Sequence, residues 1–275
     1  ALTNGLTKCG LIAGRDYTLF MPAPSSDDEK LAANMQTLLD ANVALVVAQT
    51  KSAARVAVKM TRDVPVVLGA FNGDPAQEGI VTSLEQPGGN VTGTYYLGQA
   101  GAEKRCTLLM ELAPHVRRVG VLMNPRSAFS RELGFEAVTI AHHMGLNASE
   151  IGAVEPAFVE HAFADAKAKG IEAIVTVTGA DMYALREAIA NAAWQQQMPA
   201  VMGSIGFAEL GGLAKLGPDI PVLWRRMATA HVVPILRGEP PSRLPMIGLD
   251  RFELEINLIT AAHLNLAVSD DLRGR

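Results

Sequence analysis

The chain has 275 residues, of which 49% are hydrophobic and 19% charged, and its formal net charge is −4. This length gives one large domain or two modest ones with hydrophobic cores, and the composition excludes an intrinsically disordered chain. The basic residues are scattered, so a nucleic-acid partner is not expected, because binding to phosphates needs clustered Lys and Arg. No apolar run approaches the roughly 18 residues of a membrane span, and no secretory leader is visible.

The two cysteines, Cys9 and Cys106, lie far apart in predicted helices. Buried free thiols are favoured over a disulfide in such a pattern. Two cysteines without companion ligands also argue against structural zinc, and neither a metal nor a cofactor is expected.

Apolar strands and amphipathic helices alternate along the chain, which is typical of parallel sheets covered by helices on both faces. The predicted elements before Gln86 are a helix end at 1–10, strand 16–23, helix 27–39 capped by Ser25 or Ser26, strand 43–48, helix 52–62, strand 64–70 and a short helix 75–84. A parallel sheet that begins with strand 16–23 normally has an earlier strand. About 20 to 40 residues, including any export signal, are therefore expected to precede residue 1.

Turn residues at 86–90 (QPGGN) interrupt the alternation, and a second run follows a crossing segment at 91–97. Its predicted elements are helix 99–112, strand 118–123, helix 127–144, strand 150–154, helix 156–169, strand 171–177, helix 181–196 and strand 199–203. Two sheet-forming runs predict two similar lobes rather than one long sheet. Strand 213–216, helix 220–237 and an alternating edge strand at 252–256 follow, so the chain is expected to return to the first lobe and cross back.

Short motifs run along essentially the whole chain. They are Gly73-Asp74-Pro75, Gly79-Ile80-Val81, 87–93 (PGGNVTG), 117–122 (RRVGVL), Asn124-Pro125, Gly211-Gly212-Leu213, 235–241 (ILRGEPP), Leu244-Pro245 and 252–257 (FELEIN). In this order they resemble the family of ABC-transporter substrate-binding proteins that includes the tryptophan- and tyrosine-binding solute receptors. The sequence departs from that family at 49–52 (QTKS), where Gly-Thr-Pro-Ala is common and Lys51 replaces the proline.

The resemblance implies an α/β fold of the type I periplasmic-binding class, with two doubly wound parallel-sheet lobes joined by a three-crossing hinge. The lobes would be 1–95 with 213–241 and 96–212 with 242–275, and the crossings would lie near 94–97, 209–214 and 240–246. It further implies the solute-binding protein of an ABC importer, periplasmic or lipid-anchored outside the cell. Such a protein is expected to be a monomer that closes on a small-molecule ligand and engages membrane permease subunits.

The candidate site follows from the rule that open α/β sheets bind ligands at the carboxyl ends of their strands. Hydroxyl residues begin several helices at the predicted strand ends, where free N–H groups and the helix dipole favour an anion. Aromatic side chains on the same loops favour a flat apolar ligand. The candidate ligand-binding residues are Thr50, Ser52, Phe71, Asp74, Tyr95, Ser127, Phe129, Ser130, Asp181, Met182 and Ser204.

Helix capping is the alternative role of six of these residues: Thr50, Ser52, Ser127, Ser130, Asp74 and Asp181. Tyr95 or Tyr96 is expected to pack at the hinge. Asp181, or else Asp74, is expected to neutralise a ligand ammonium group. The predicted ligand therefore carries a carboxylate and an aromatic body. It is either an aromatic amino acid or an aromatic acid without the amino group. The second alternative is included because Lys51 adds a positive charge near the same helix start.

Two other functions are considered. An enzyme is disfavoured because the chain has no G-x-S-x-G elbow, P-loop or H-E-x-x-H motif, and its histidines lie away from the strand-end loops. The ligand-sensing core of a transcriptional regulator shares this fold, but it needs a helix-turn-helix segment that the sequence does not show. A binding protein that catalyses nothing is the prediction.

Overall fold

A computed structural model describes residues 1–23, 27–249 and 252–274, the side chains of 98–100 apart. The helices are α1 (Leu2–Lys8), α2 (Asp28–Asp40), α3 (Lys51–Met60), α4 (Gly98–Leu112), α5 (Ala128–His143), α6 (Pro156–Ala168), α7 (Ala180–Gln195), α8 (Ile220–Met227), α9 (Val233–Leu236), α10 (Leu258–His263) and α11 (Asp270–Gly274). The strands are β1 (Val46–Ala48), β2 (Val66–Asn72), β3 (Val91–Tyr96), β4 (Arg118–Met123), β5 (Asn147–Gly152), β6 (Ala173–Thr176), β7 (Ala200–Met202), β8 (Ala214–Pro218), β9 (Ile247–Gly248) and β10 (Phe252–Ile256).

The chain divides into two compact units and changes unit three times. The units are Ala1–Leu97 with Asp219–Asp250, and Gly98–Pro218 with Arg251–Arg275. These bounds correct the predicted ones for 213–218 and 242–250. The reason is strand pairing, because β8 pairs with β7 in the second unit and β9 pairs with β3 in the first.

The first unit is built on a four-stranded parallel sheet in the order β1-β2-β3-β9. Alternate residues of β2 serve its two faces, as strand geometry requires. Val66 and Leu68 pack in one core with residues of α2 and α3, whereas Val67 packs in another with residues of α1 and α8. Helices therefore cover both faces of this sheet.

The second unit holds a six-stranded sheet in the order β10-β8-β7-β6-β4-β5. All its strand pairs are parallel except that of β10 with β8, so β10 is an antiparallel edge strand. Every residue of β6 and β7 is buried. These strands have continuous apolar sequences because both of their faces lie against helices.

Several predicted elements differ from the structure. The predicted strand 16–23 forms only an isolated bridge, between Ala13 and Tyr17, and the predicted helix 75–84 is a series of turns. Helix α2 is capped by Asp27, which accepts hydrogen bonds from two backbone N–H groups, while Ser25 and Ser26 lie outside the described residues. The predicted crossing segment 91–97 is strand β3, inside the first sheet.

The predicted helix 220–237 is interrupted. Between α8 and α9 it forms a π-helical segment, Ala228–Val232, and Pro234 follows two residues later. Proline has no N–H to donate, so the regular hydrogen-bond ladder cannot pass through that position. The same segment holds His231, of which 1% is exposed.

Both cysteines are free thiols, but only Cys106 is buried as predicted, since Cys9 is half-buried. Cys106 is buried within α4, and burial raises the pKa of its thiol to about 11. It is therefore a protonated core residue with little nucleophilic character.

His231 is expected to make the stability of the protein depend on pH. Its Nε2 contacts the carbonyl oxygen of Pro245 at 2.8 Å, and burial lowers the pKa of the ring. Below the ordinary histidine pKa of about 6.5 the unfolded chain thus binds more protons than the native protein, so stability falls as the pH drops.

We expect His231→Phe, which keeps a buried ring but cannot titrate, to weaken this dependence. The melting temperature of the variant should fall less than that of the wild type between about pH 7.5 and pH 5.5. His161→Asn is the control, because His161 is exposed on α6 and should leave the wild-type slope unchanged. Equal slopes for the wild type and His231→Phe would contradict the role of burial.

Candidate ligand-binding site

In the first unit, β1 leads directly into the start of α3. Thr50 caps this helix, since its Oγ1 accepts a hydrogen bond from Ala53 N at 3.1 Å. Ser52 is half-buried in the first turn. The first N–H groups of a helix have no acceptor within it, and at 10 residues α3 is long enough for a helix dipole to matter. Thr50 therefore has the capping role that was its alternative, at a helix start suited to an anion.

A cluster of charges lies beside that helix start. Lys51 Nζ is 2.7 Å from one oxygen of Glu78, and Arg55 is 3.1 Å from the other. The Lys51 ammonium also lies 6.0 Å from the centre of the Phe71 ring. Two cations share one carboxylate, so the cluster keeps a net positive charge next to the helix start.

Two aromatic residues near strand ends belong to the core: Phe71, a predicted site residue, and Phe207. Phe71 lies within β2, which extends to Asn72, and 1% of it is exposed. Phe207 is fully buried in the second unit, where its ring packs against Gly212. The physical reason is strand length: β2 runs two residues further than predicted, so Phe71 faces α3 rather than solvent.

Asp74 and Tyr95 are close in the same unit. Asp74 Oδ1 accepts hydrogen bonds from Ala76 N at 2.8 Å and Gln77 N at 3.1 Å, so this carboxylate caps a turn. Tyr95 is half-buried on β3, and burial together with the negative charge of Asp74 raises the pKa of its phenol. Tyr95 is thus a neutral hydroxyl that can donate or accept a hydrogen bond.

In the second unit, two serines close the loop between β4 and α5. Ser127 caps α5 by accepting a hydrogen bond from Ser130 N at 3.2 Å. Ser130 is buried, and its Oγ accepts from Asn124 N at 2.9 Å. Phe129 lies half-buried between them. Ser130 therefore shapes the loop, and Ser127 lies nearer to solvent at the helix start.

Asp181 differs from the other predicted residues in the hydrogen bonding of its carboxylate. Its Oδ1 accepts a hydrogen bond from Met182 N at 2.9 Å, whereas its Oδ2 is buried and has no hydrogen-bond partner in the part of the chain that is described. Gly179 allows this arrangement, because a Cβ there would lie 2.6 Å from Asp181 Oδ1. Met182 is fully buried and packs in the core.

The carboxyl end of β6 holds polar residues that the sequence analysis did not identify. Thr176 is fully buried, and its Oγ1 lacks a partner among residues 1–23, 27–249 and 252–274. Arg105 of α4, 2% exposed, lines with Thr178 a cavity of about 10 Å³, which is room for about one water. Ser204, which was predicted as a site residue, follows β7 and is also buried. The sequence held one sign that Arg105 is buried, because this residue adjoins the apolar stripe of α4 formed by Ala102, Cys106 and Leu109.

A groove of about 300 Å³ lies at the other end of the first sheet. It is lined by Arg62, 79–82 and 87–91. Because Val91 is the first residue of β3, this groove lies at the amino ends of the strands, away from the edge where ligands bind in such sheets. The PGGNVTG motif thus forms a turn that leads into β3 and takes no part in the candidate site.

Two features are absent from the described ranges of the chain. No group of three His, Cys, Asp or Glu side chains there is arranged to hold a metal ion. Nor does that part of the chain include a helix long and apolar enough to cross a membrane.

The sequence model of one protein family, described as ABC transporter substrate binding protein, matches residues 2–274. The chain belongs to this family. Its members bind solutes, and the type I periplasmic-binding fold predicted for this one, with two doubly wound units, is confirmed.

Individual relatives agree with the family assignment. The chain is 27% identical over 223 residues to a tyrosine-binding protein of Clostridioides difficile (strain R20291), covering 81% of this chain and 63% of that protein. It thus spans less than two thirds of that relative. A conserved domain protein of Vibrio cholerae is 26% identical with a TM-score of 0.87, covering 100% of this chain and 91% of that one. The ABC domain in complex with L-Trp from Streptococcus pneumonia is 22% identical with a TM-score of 0.83, over 99% and 91%.

Proposed function

We propose that this protein is the extracytoplasmic solute-binding component of an ABC importer and that its ligand is an aromatic amino acid. Membership of the substrate-binding family supports the first part, and the tyrosine-binding relative supports the second. Its partners are then a small-molecule ligand and the permease subunits of the transporter. It works as a monomer and needs no cofactor.

The observation that carries the ligand class is the unpartnered, buried Oδ2 of Asp181. A buried carboxylate oxygen without a donor is unfavourable by roughly 1–3 kcal/mol or more. A ligand ammonium removes that penalty and forms a charge-assisted hydrogen bond, which is stronger than a neutral one. This favours an amino acid over an aromatic acid that lacks the amino group.

Positive charge at a helix start in each unit supports a carboxylate on the ligand. In the first unit, the start of α3 lies beside the Lys51–Glu78–Arg55 cluster, which retains a net positive charge. In the second, Ser127 begins the 16-residue helix α5. Helix N-termini bind carboxylates through free N–H groups and the helix dipole.

Aromatic side chains near the carboxyl ends of the strands supply apolar contacts to the ligand. Tyr95 and Phe129 are half-buried, so each can still present a ring to a ligand. Tyr183 is 43% exposed, and the Arg186 guanidinium lies 3.9 Å from the centre of its ring. Rings at such positions favour a flat apolar ligand body.

Calorimetric titration tests this proposal. We expect L-tryptophan, L-tyrosine or L-phenylalanine to bind the wild type, and Asp181→Ala and Ser127→Ala each to weaken binding. The loss of a charge-assisted contact at Asp181 should cost about 1.5–3 kcal/mol, or roughly one to two decades of affinity. Asp165→Ala is the control, because this acid is exposed on α6.

Analogues without the amino group sharpen the test. Phenylpropionic and indolepropionic acids should bind the wild type more weakly than the amino acids, and Asp181→Ala should not weaken them further, because they carry no ammonium. Tight binding of a sugar or a metal ion, with both substitutions silent, would refute the proposal. A bound amino acid should also raise the melting temperature, because it binds only the native state.

A further inference from the structure

A side chain in the first unit has an unmet hydrogen-bonding demand similar to that of Asp181. Asn72, the last residue of β2, is 7% exposed. Its Nδ2 is buried and has no hydrogen-bond partner in the described chain. Buried amide groups are nearly always paired, so an unpaired one needs an explanation.

The backbone that leads to Asn72 is irregular. The pairing of β2 with β3 shifts register between Gly69 and Phe71, which is a β-bulge. The extra residue, Ala70, has a φ of +95°, where residues other than glycine are rare. Bulges and strained residues are enriched beside functional sites, because they redirect the side chains that follow.

The bulge changes the face on which Asn72 lies. Gly69 faces Trp224 of α8, and Ala70 packs against Leu223 of the same helix, so two successive residues serve one face of the sheet. Phe71 then packs on the α3 side. By alternation, Asn72 lies on the α8 side, whereas in a regular strand it would point toward α3.

Most of the neighbours on that side are apolar. Ala70, Tyr96 and Leu223 form a small buried cluster, with Ile220 and Leu249 packed against it. Asp219, at the start of α8, already accepts a hydrogen bond from Val222 N at 2.9 Å. The Asn72 amide therefore lies at the carboxyl end of β2, in an apolar setting that, within the described residues, offers it no partner.

We propose that Asn72 is a ligand-recognition residue whose Nδ2 donates a hydrogen bond to an oxygen of the ligand, and that the bulge at Ala70 presents it. This rests on the proposed function, in which that oxygen belongs to the ligand carboxylate. Lys51, at the start of α3, has its ammonium 6.0 Å from the centre of the Phe71 ring, so a positive charge lies beside the residue that precedes Asn72. A carboxylate bound at this strand end would accept the hydrogen bond of Asn72 and lie near that charge.

Asn72→Leu and Asn72→Asp test the assignment, with each aromatic amino acid and its carboxamide as paired ligands. Asn72→Leu removes the donor at similar volume and should weaken amino-acid binding by about 10- to 100-fold. Asn72→Asp should weaken it further, because two carboxylates repel. The carboxamide should lose no more than about threefold with Asn72→Leu, because a neutral oxygen gains less from the donor.

The melting temperature of the ligand-free protein separates recognition from a structural role. Removing an unpartnered amide leaves no group unsatisfied, so Asn72→Leu should melt at or above the wild-type temperature. Asn90→Leu is the matched control. Asn90 is buried at the other end of the same sheet and donates to Val64 O at 2.7 Å, so this variant should melt lower and bind normally.

The outcomes are distinct. If the wild type binds no aromatic amino acid, the proposed function is overturned, and with it the carboxylate assignment. If the wild type binds one and Asn72→Leu binds it equally well, only the role of Asn72 is overturned. A ligand-free Asn72→Leu that melts well below the wild type would likewise overturn it, since Asn72 would then be a structural residue.

Discussion

Gly93→Ala is expected to destabilise the first unit by more than about 4 kcal/mol, enough to prevent its folding. Gly93 lies in β3 and pairs with Leu68 of β2. A Cβ at this position would lie 2.4 Å from both the backbone nitrogen and the backbone oxygen of Leu68. Because the obstacle is backbone in the middle of the sheet, it can move only if the β2–β3 hydrogen bonds break. The φ of +137° adds strain for any residue with a side chain.

Urea unfolding followed by circular dichroism measures this effect. Gly79→Ala is the matched control, because Gly79 has a φ of +69° but no atom of the described residues would lie within 4 Å of its added Cβ. It should cost about 1–2 kcal/mol, the ordinary penalty for a left-handed residue with a side chain. If the two variants unfold at similar urea concentrations, the close approach of β3 to β2 does not explain the glycine.

Lys215→Ala is expected to cost about 3–4 kcal/mol. Lys215 of β8 is fully buried, and its ammonium pairs with Glu253 and, at 3.3 Å, with Glu255 of β10. The substitution removes a buried aliphatic stem and leaves two carboxylates side by side on one face of β10. Glu253 is 48% exposed and Glu255 31%, so water screens part of that repulsion, and loss of the stem is the larger effect.

Lys215→Met separates the two contributions. It keeps an apolar stem and removes only the charge, so it should cost about 1–2 kcal/mol in the same unfolding experiment. Lys30→Ala, an exposed position on α2, should be close to neutral. If Lys215→Met is as unstable as Lys215→Ala, the ion pairs outweigh the packing of the stem.

Much of the second unit could be predicted from sequence because its strands are buried on both faces. Strand β4 was predicted at 118–123, its observed range, since a continuous apolar run is typical of a central parallel strand. The segment 16–23 is as apolar, yet it forms no ladder, because a strand also requires a neighbour with which to pair. A local run of apolar residues therefore does not show by itself that a strand has a partner.

The candidate site was predictable where its chemistry is local. Thr50 and Ser127 were found at helix starts because capping depends on a few consecutive residues. Asn72 was not found, because its unpaired amide results from a bulge that only strand register reveals. Phe71 was predicted on a loop but lies within β2, because this strand continues two residues beyond its predicted end.

The insertion of one unit within the sequence of the other has a consequence for the order of folding. Thr94 of β3 pairs with Ile247 of β9, and Thr92 Oγ1 donates to Leu244 O across 152 residues. As the chain leaves the ribosome, strands β4 to β8 all emerge before β9. Until then β3 has a free edge, which other chains can pair with. Contacts so distant in sequence also close slowly. During synthesis, the second unit is therefore complete except for β10 and the helices after it at a time when the first sheet still lacks β9.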